Sequence, residues 1–414
     1  MPDLDEVASQ ERSSTPMTQQ KINSSRLARH WDFVAVLLLF AASLPLAWVS
    51  PHSVIAIQHP GGFDDHWVLD ATYKVTHHIY FGRDVAFLYG PLAHWLMAAP
   101  PRLAGFSLGT IYSSYRTLLL WCSILFSYFT LRLLLPEQPA WKRFLLLLLL
   151  GVFWTSWDGR TALGILCFAA FLRGWYAVRD ERWKPVPFAV GAALLTAFAF
   201  WYSADTGVYS VAAFLLSFGG VAWENLREQR MLRRFAVALA TFSACFVVLT
   251  FAINTVIAGP LDFRFWRTSL ALVSVHRWNE PAAMTGAGAM HLLLPFFLGS
   301  GLFLLRLLVK DDRSKVFVAR VGFLLGAYFF ALLSMQSGLV RSDPNHIIFG
   351  VFPMVFFSGV ILFSFSSRLS STAAALAAVV ASLYLSEPAP IFHPDNVRYR
   401  LAQMRHPKIG RAHV

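Results

Sequence analysis

FAVALATFSACFVVLTFAINTVI, residues 235–257, is a run of 23 residues without a charge. A helix needs about 20 apolar residues to cross the hydrocarbon core of a bilayer. Four arginines, Arg227, Arg230, Arg233 and Arg234, precede the run. An apolar block behind a cationic flank is the pattern of a spanning helix whose basic end stays in the cytoplasm.

Outward from this run the pattern repeats. Candidate spans cover residues 32–50, 115–135, 144–157, 161–178, 186–203, 207–223, 235–257, 291–309, 316–335, 347–366 and 371–385. The third is short and the last is Ala-rich. Apolar residues make up 56% of the 414 and charged residues 14%, against about 25% charge in a soluble domain. So much apolar surface suits lipid, and lipid requires each segment to satisfy its own backbone, which favours helices. The expected fold is all-α, a polytopic transmembrane helical bundle of about 11 spans, with interfacial helices in the outside loops. The net charge of +12 would suggest nucleic acid in a soluble protein. Here the basic residues lie mostly between apolar blocks, where they set topology, and nucleic acid is not an expected partner. Cys122, Cys167 and Cys245 sit inside apolar blocks without CxxC spacing and read as small hydrophobes.

Three regions are expected. Residues 1–31 are polar and aperiodic and read as a disordered cytoplasmic segment, followed by an uncleaved first helix. Residues 32–386 form the membrane domain, and residues 387–414 a polar tail. With the N-terminus in the cytoplasm, the inside loops carry Lys142 and Arg143; Arg179, Arg182 and Lys184; the four arginines before residue 235; Lys310, Arg313 and Lys315; and Arg368. The basic tail fits less well, since eleven spans place it outside. The outside segments are 51–114, the turn Asp158-Gly159-Arg160, 258–290 and 336–346.

The first outside segment contains HPGGFDDHWVLDATYKVTHHIYFGRDVAFLYGPLAHWL, residues 59–96. Val68, Ala71, Val75 and Ile79 follow helical spacing, and Trp67 and Tyr73 suit a helix lying on the membrane surface. Gly82 ends that helix, and Tyr89-Gly90-Pro91-Leu92 reads as a rigid turn back toward lipid. Asp64 and Asp65 stand at its start. A carboxylate there can accept a proton from a hydroxyl or hold a metal ion. Helix capping is the simpler reading on spacing alone. Six of the 13 histidines lie in this segment, but no HxxxH or HExxH pattern occurs, so interfacial filling outweighs a zinc centre.

The order of these features resembles the GT-C glycosyltransferases, polytopic enzymes that use polyprenyl- or dolichyl-phosphate sugars. It is similar to the protein mannosyltransferase and aminoarabinose transferase group. The resemblance runs through the first span, Phe63-Asp64-Asp65, Tyr73 on an interfacial helix, Phe81-Gly82-Arg83-Asp84, Leu88-Tyr89-Gly90-Pro91-Leu92, and Arg116 opening the second span. It covers about residues 32–135. The family's usual Pro-Pro-Leu is Gly-Pro-Leu here. The resemblance implies that Asp64 is the base that deprotonates the acceptor, with Asp65 beside it. Asp158 would match a further family acid, holding a metal or positioning the acceptor. A divalent metal ion is left open as a cofactor. The implied partners are a polyprenyl-phosphate-linked sugar, a glycan, lipid or protein acceptor, and membrane lipid. The implied location is the bacterial inner membrane.

Such a transfer needs cations at the membrane surface for the lipid phosphate. Arg341 and His346, in Arg-Ser-Asp-Pro-Asn-His before the tenth span, are candidates, as are Arg264 and Arg267, flanking an interfacial face of Phe263, Trp266, Leu270 and Val273. Arginine suits bidentate phosphate binding; headgroup contact is the competing reading. Tyr89 and Pro91 would shape the pocket. Three other classes compete: a transporter, another lipid-linked glycan polymerase or ligase, and a non-catalytic scaffold. A transporter would place ionisable groups at mid-membrane, whereas here they gather near span ends and in loops.

Overall fold

The computed structural model describes residues 33–41 without 35, isolated positions between 70 and 84, and residues 90–96, 108–150, 159–224, 228–264, 266–268, 271, 286–308, 317–340, 344–364 and 398. Among the described residues the secondary structure is helical, with no strand. In chain order the main helices are α1 (Leu108–Leu134), α2 (Ala140–Leu150), α3 (Gly159–Arg179), α4 (Pro185–Tyr202), α5 (Ala204–Glu224), α6 (Gln229–Ile257), α7 (Gly286–Leu308), α8 (Val321–Val340) and α9 (Pro344–Ser364). Among the described residues, four helical segments are long and apolar enough to cross a membrane: Gly159–Arg179, Pro185–Tyr202, Ala204–Val221 and Gln229–Ile257. Helices of this length and composition mark an integral membrane protein.

Local chemistry sets the ends. Pro185 opens α4 and Pro344 opens α9, positions where a missing N–H costs no helical bond. α1 stops two residues before Pro136. Several ends differ from those read by hydropathy. α6 begins at Gln229 rather than Phe235, because arginines tolerate helix even where the apolar block has ended. Gly159 and Arg160 belong to α3, not to a separate turn. The expected ninth span divides into a short 3-10 turn, Phe317–Ala319, and α8; the Arg320 N–H bonds back to Phe317, while its guanidinium lies over the Tyr176 ring at 4.2 Å. In the first span, 33–41 is helical at the positions described. The eleventh span, the N-terminal segment 1–31 and, apart from Arg398, the tail lie outside the described residues.

α3 is the central helix, with 78% of its span window buried, and α6 is peripheral, with only 6%. Along α6, Val248 and Val256 are 66% and 74% exposed, a lipid-facing surface by composition. α3 packs on α1, α4 and α5; α8 packs on α5 and α9; α7 packs on α9; and α4 packs on α6. The core is a chain of rings. Phe168 of α3 lies 6.4 Å from Phe323 and 6.3 Å from Phe330 of α8, and 5.8 Å from Phe357 of α9. Trp175 meets Phe235 edge-on at 4.7 Å.

The α5–α8 seam depends on small residues. Gly322 and Gly326 face α5 one turn apart. A Cβ on Gly322 would meet Val221 and the Ser217 carbonyl, and one on Gly326 would strike Ser217 Oγ and the Ala213 carbonyl. Nearby, the Ser210 hydroxyl donates to the Gly164 carbonyl of α3 at 2.9 Å. In lipid, where apolar burial drives helix pairing little, such close backbone approach and interhelical hydrogen bonding are what remain.

The bundle has two chemically different ends. At one end lie Arg143, which donates to the Leu135 carbonyl at 3.2 Å, Arg173 over the Phe317 ring at 4.7 Å, and Glu181, bridged by Arg230 and Arg234 at 3.1 and 3.0 Å. This is the basic end. At the other, α4 turns into α5.

Filling the seam should destabilise the bundle. Gly326→Val is expected to cost about 1–3 kcal/mol, the usual range for overpacking. Gly191→Ala, whose Cβ meets nothing within 4 Å, should cost nothing. Thermal unfolding of the two purified variants in detergent checks this; equal melting temperatures would remove the seam from the account.

Candidate functional site at the α4–α5 end

α4 and α5 are separated by a single residue. Ser203 is extended, with φ −155° and ψ 103°, and its N–H closes α4 on the Ala199 carbonyl at 2.8 Å. The Ser203 hydroxyl donates to the Asp205 carboxylate, which also accepts the Thr206 N–H at 2.8 Å. An acid in the first turn complements the free N–H groups and positive dipole there. Thr206 returns the bond, its hydroxyl donating to the Ser203 carbonyl at 3.1 Å.

Residues 90–96 rest on this break. Gly90 lies so close that a Cβ would meet the Trp201 carbonyl oxygen, with the Tyr202 carbonyl carbon and oxygen both at 2.6 Å. Pro91, expected in a turn, instead opens a short helix over 91–96 and is buried; its fixed φ suits a first helical position. Leu92 and Trp95 pack against the buried pair Trp201 and Ile257. His94 is only 4% exposed, and burial lowers its pKa from 6.5 to about 4.

The segment after α6 closes the other side. Asn254 donates its side-chain amide to the Asp262 carbonyl at 3.0 Å, across a reversal in which Gly259 and Leu261 take positive φ of 107° and 60°. Trp266 stacks on Phe200 at 4.6 Å and meets Trp201 edge-on at 5.1 Å. The indole of Trp266 therefore joins the same cluster as Leu92 and Trp95. Arg264 is exposed, and its Nε reaches both Asp262 carboxylate oxygens at 3.0 Å. Hydrogen bonding to Asp262 raises its pKa, and Asp84 of the first segment adds to this electrostatically. Arg267 is also exposed.

α3 and α9 begin at this end too. Gly164 in the first turns of α3 meets Thr206 and Ser210 of α5. The Arg160 guanidinium lies 4.8 Å from the Phe349 ring, one turn after His346, whose backbone belongs to the start of α9.

The structure thus brings Pro91, Arg264 and Arg267 to one end, with His346 at the start of a helix that arrives there. Asp64, Asp65, Tyr89, Asp158 and Arg341 lie outside the described residues, as does the His346 side chain. The expected interfacial helix is helical at Asp70 and over 73–75, with Lys74 paired to Asp70 at 2.5 Å, Val75 buried and Tyr73 exposed. Sequence reasoning passed over Trp201, Asp205 and Asp262. The signal for Asp205 was present in Trp-Tyr-Ser-Ala-Asp-Thr-Gly, polar residues wedged between two apolar blocks. Among the described residues no group of three His, Cys, Asp or Glu side chains is placed to hold a metal ion.

The His94 environment gives a pH test. A histidine whose folded pKa falls below its unfolded value adds no penalty above pH 6.5 and destabilises progressively as pH drops toward 4. The two values imply a loss of about 2 kcal/mol at pH 5 relative to neutral pH. His94→Gln should flatten that part of the melting-temperature profile between pH 7 and 5; an unchanged slope would show that His94 protonates as readily in the folded state as in the unfolded one. Comparison of the chain with family models and with curated proteins returns no match.

Proposed function

We propose that the protein is an inverting glycosyltransferase that moves a sugar from a polyprenyl-phosphate donor to an acceptor on the non-cytoplasmic side of the bacterial inner membrane. The observation that carries this reading is the docking of the 90–96 segment, downstream of Asp64 and Asp65, beside Trp266 and the arginines that flank it. The far end of the segment that carries the two acids, residues 90–96, is thereby seated near Arg264 and Arg267, at the end of the bundle remote from the basic loops. Short basic loops stay in the cytoplasm, so in this reading the α4–α5 end faces away from it and the N-terminus lies inside. The resemblance to the GT-C family supplies the reaction class.

In this reading Asp64 takes the proton of the acceptor hydroxyl as its oxygen attacks the anomeric carbon. The bond from that carbon to the phosphate oxygen breaks with inversion, and the lipid phosphate leaves with the electron pair. Asp65 and Asp158 position the acceptor. Arg341, His346 and Arg267 meet the phosphate charge. Arg264 is already held by Asp262, and it contributes by shaping the 262–268 segment before any phosphate contact. Tyr89 and Pro91 shape the substrate pocket in this reading.

One observation bears on a second reading. Pro295 and Pro353 lie inside α7 and α9, two helices that pack together; prolines within apolar segments are a pointer to transporter sites, although both helices run unbroken through them here.

Membranes containing the protein, supplied with labelled polyprenyl-phosphate sugars, separate the readings. Asp64→Asn should reduce sugar transfer by about 100-fold or more, in line with loss of a general base, while leaving the protein's abundance and melting temperature unchanged. Arg341→Ala should weaken donor use. Full transfer by Asp64→Asn would end the proposal. Solute flux in proteoliposomes abolished by Pro353→Ala would favour transport.

A further inference from the structure

At the basic end, α1, α3 and α4 leave between them a cleft of about 530 Å³, within the roughly 300–1,000 Å³ typical of small-molecule sites. Its wall is apolar, formed by Leu133 of α1, Phe171 of α3, and Phe188, Gly191 and Leu195 of α4. Its rim is cationic and carries Arg173, Arg182 and Lys184, with Trp183 beside them. Among the described residues no carboxylate lines it. The nearby acids of this end are engaged elsewhere or stand back: Asp180 pairs with Arg179 at 3.0 Å, Glu181 with Arg230 and Arg234, and Glu137 reaches Arg173 only through space.

The two halves of the cleft call for one amphiphile. Three positive groups at the end of a helical bundle, next to a tryptophan 52% exposed, mark the headgroup level of a membrane. Below them Gly191 leaves open space where a side chain would stand, since a Cβ there meets nothing within 4 Å. A free anion would use the rim and leave the apolar groove unfilled; a neutral lipid would fill the groove and leave Arg182 and Lys184 without an anion, Arg173 already lying over the Phe317 ring. We propose that this cleft holds an anionic phospholipid, its phosphate at Arg173, Arg182 and Lys184 and an acyl chain along the α1–α4 wall. Basic residues at the cytoplasmic surface attract anionic lipid. The site is separate from the α4–α5 end and stands whether or not the glycosyltransferase reading does.

Native mass spectrometry of the full chain in detergent, titrated with phosphatidylglycerol or with phosphatidylcholine of the same chain length, tests it. Phosphatidylglycerol should bind preferentially. The double variant Arg182→Gln, Lys184→Gln should weaken that binding about tenfold or more, and Gly191→Leu, which leaves every charge in place, should weaken it as well. Arg233→Gln, an exposed arginine of the same end, should not. Equal retention of the two lipids, or wild-type affinity in both the double variant and Gly191→Leu, would overturn the proposal. So would displacement of the lipid by glycerol phosphate at matching concentration, which would mean that the rim binds an anion without its tail.

Discussion

Backbone groups that enter hydrocarbon must find their partners within the protein, and the architecture follows from how this chain meets that demand. Helices meet it along their length but leave their termini unsatisfied. The α4–α5 break shows the cost of turning a chain around at a bundle end. One residue, Ser203, leaves helical geometry; the Asp205 carboxylate takes up the orphaned Thr206 N–H, while the Ser203 carbonyl accepts both the Gly207 N–H and the Thr206 hydroxyl. The carbonyl groups of Trp201 and Tyr202 lie at this break, and Gly90 rests directly against them.

Helix pairing obeys a second limit. Apolar side chains gain little from leaving lipid for protein, so specificity comes from shape. α5 and α8 meet where Gly322 and Gly326 bring the backbone close to Ser217 and Ala213. The larger residues cluster elsewhere, in the ring chain through Phe168, Phe330 and Phe357. The α7–α8 contact adds a polar link, in which the Ser300 and Tyr328 hydroxyls lie 2.9 Å apart.

Much of this was legible in the chain. Apolar runs such as 235–257 carry their own evidence, because length and lack of charge are the properties a bilayer selects. The ends were less legible, because hydropathy counts side chains while a helix ends on hydrogen bonds. It overlooked the cap that starts α5 at Ala204 and the arginines that extend α6 back to Gln229. The Gly322-x-x-x-Gly326 spacing was visible, yet nothing in one sequence says which helix it meets. The site was legible in part. Pro91 and Arg264 stand out as residue types in loops, and the structure brings their segments together around Trp201 and Trp266. Trp201 itself could not be picked out, since a tryptophan at the end of an apolar block reads as part of an interfacial belt. The partnership of Arg264 with Asp262 depends on a reversal with two positive φ angles, which Leu261 does little to advertise.

The close seat of Gly90 gives the first loop a fixed origin. A side chain at this position would press on main-chain atoms at the end of α4, which cannot swing aside as a side chain can. Anything larger than glycine would have to lift the 91–96 helix from its contacts with Trp201 and Ile257. The hinge point of this loop is therefore set by what the residue lacks.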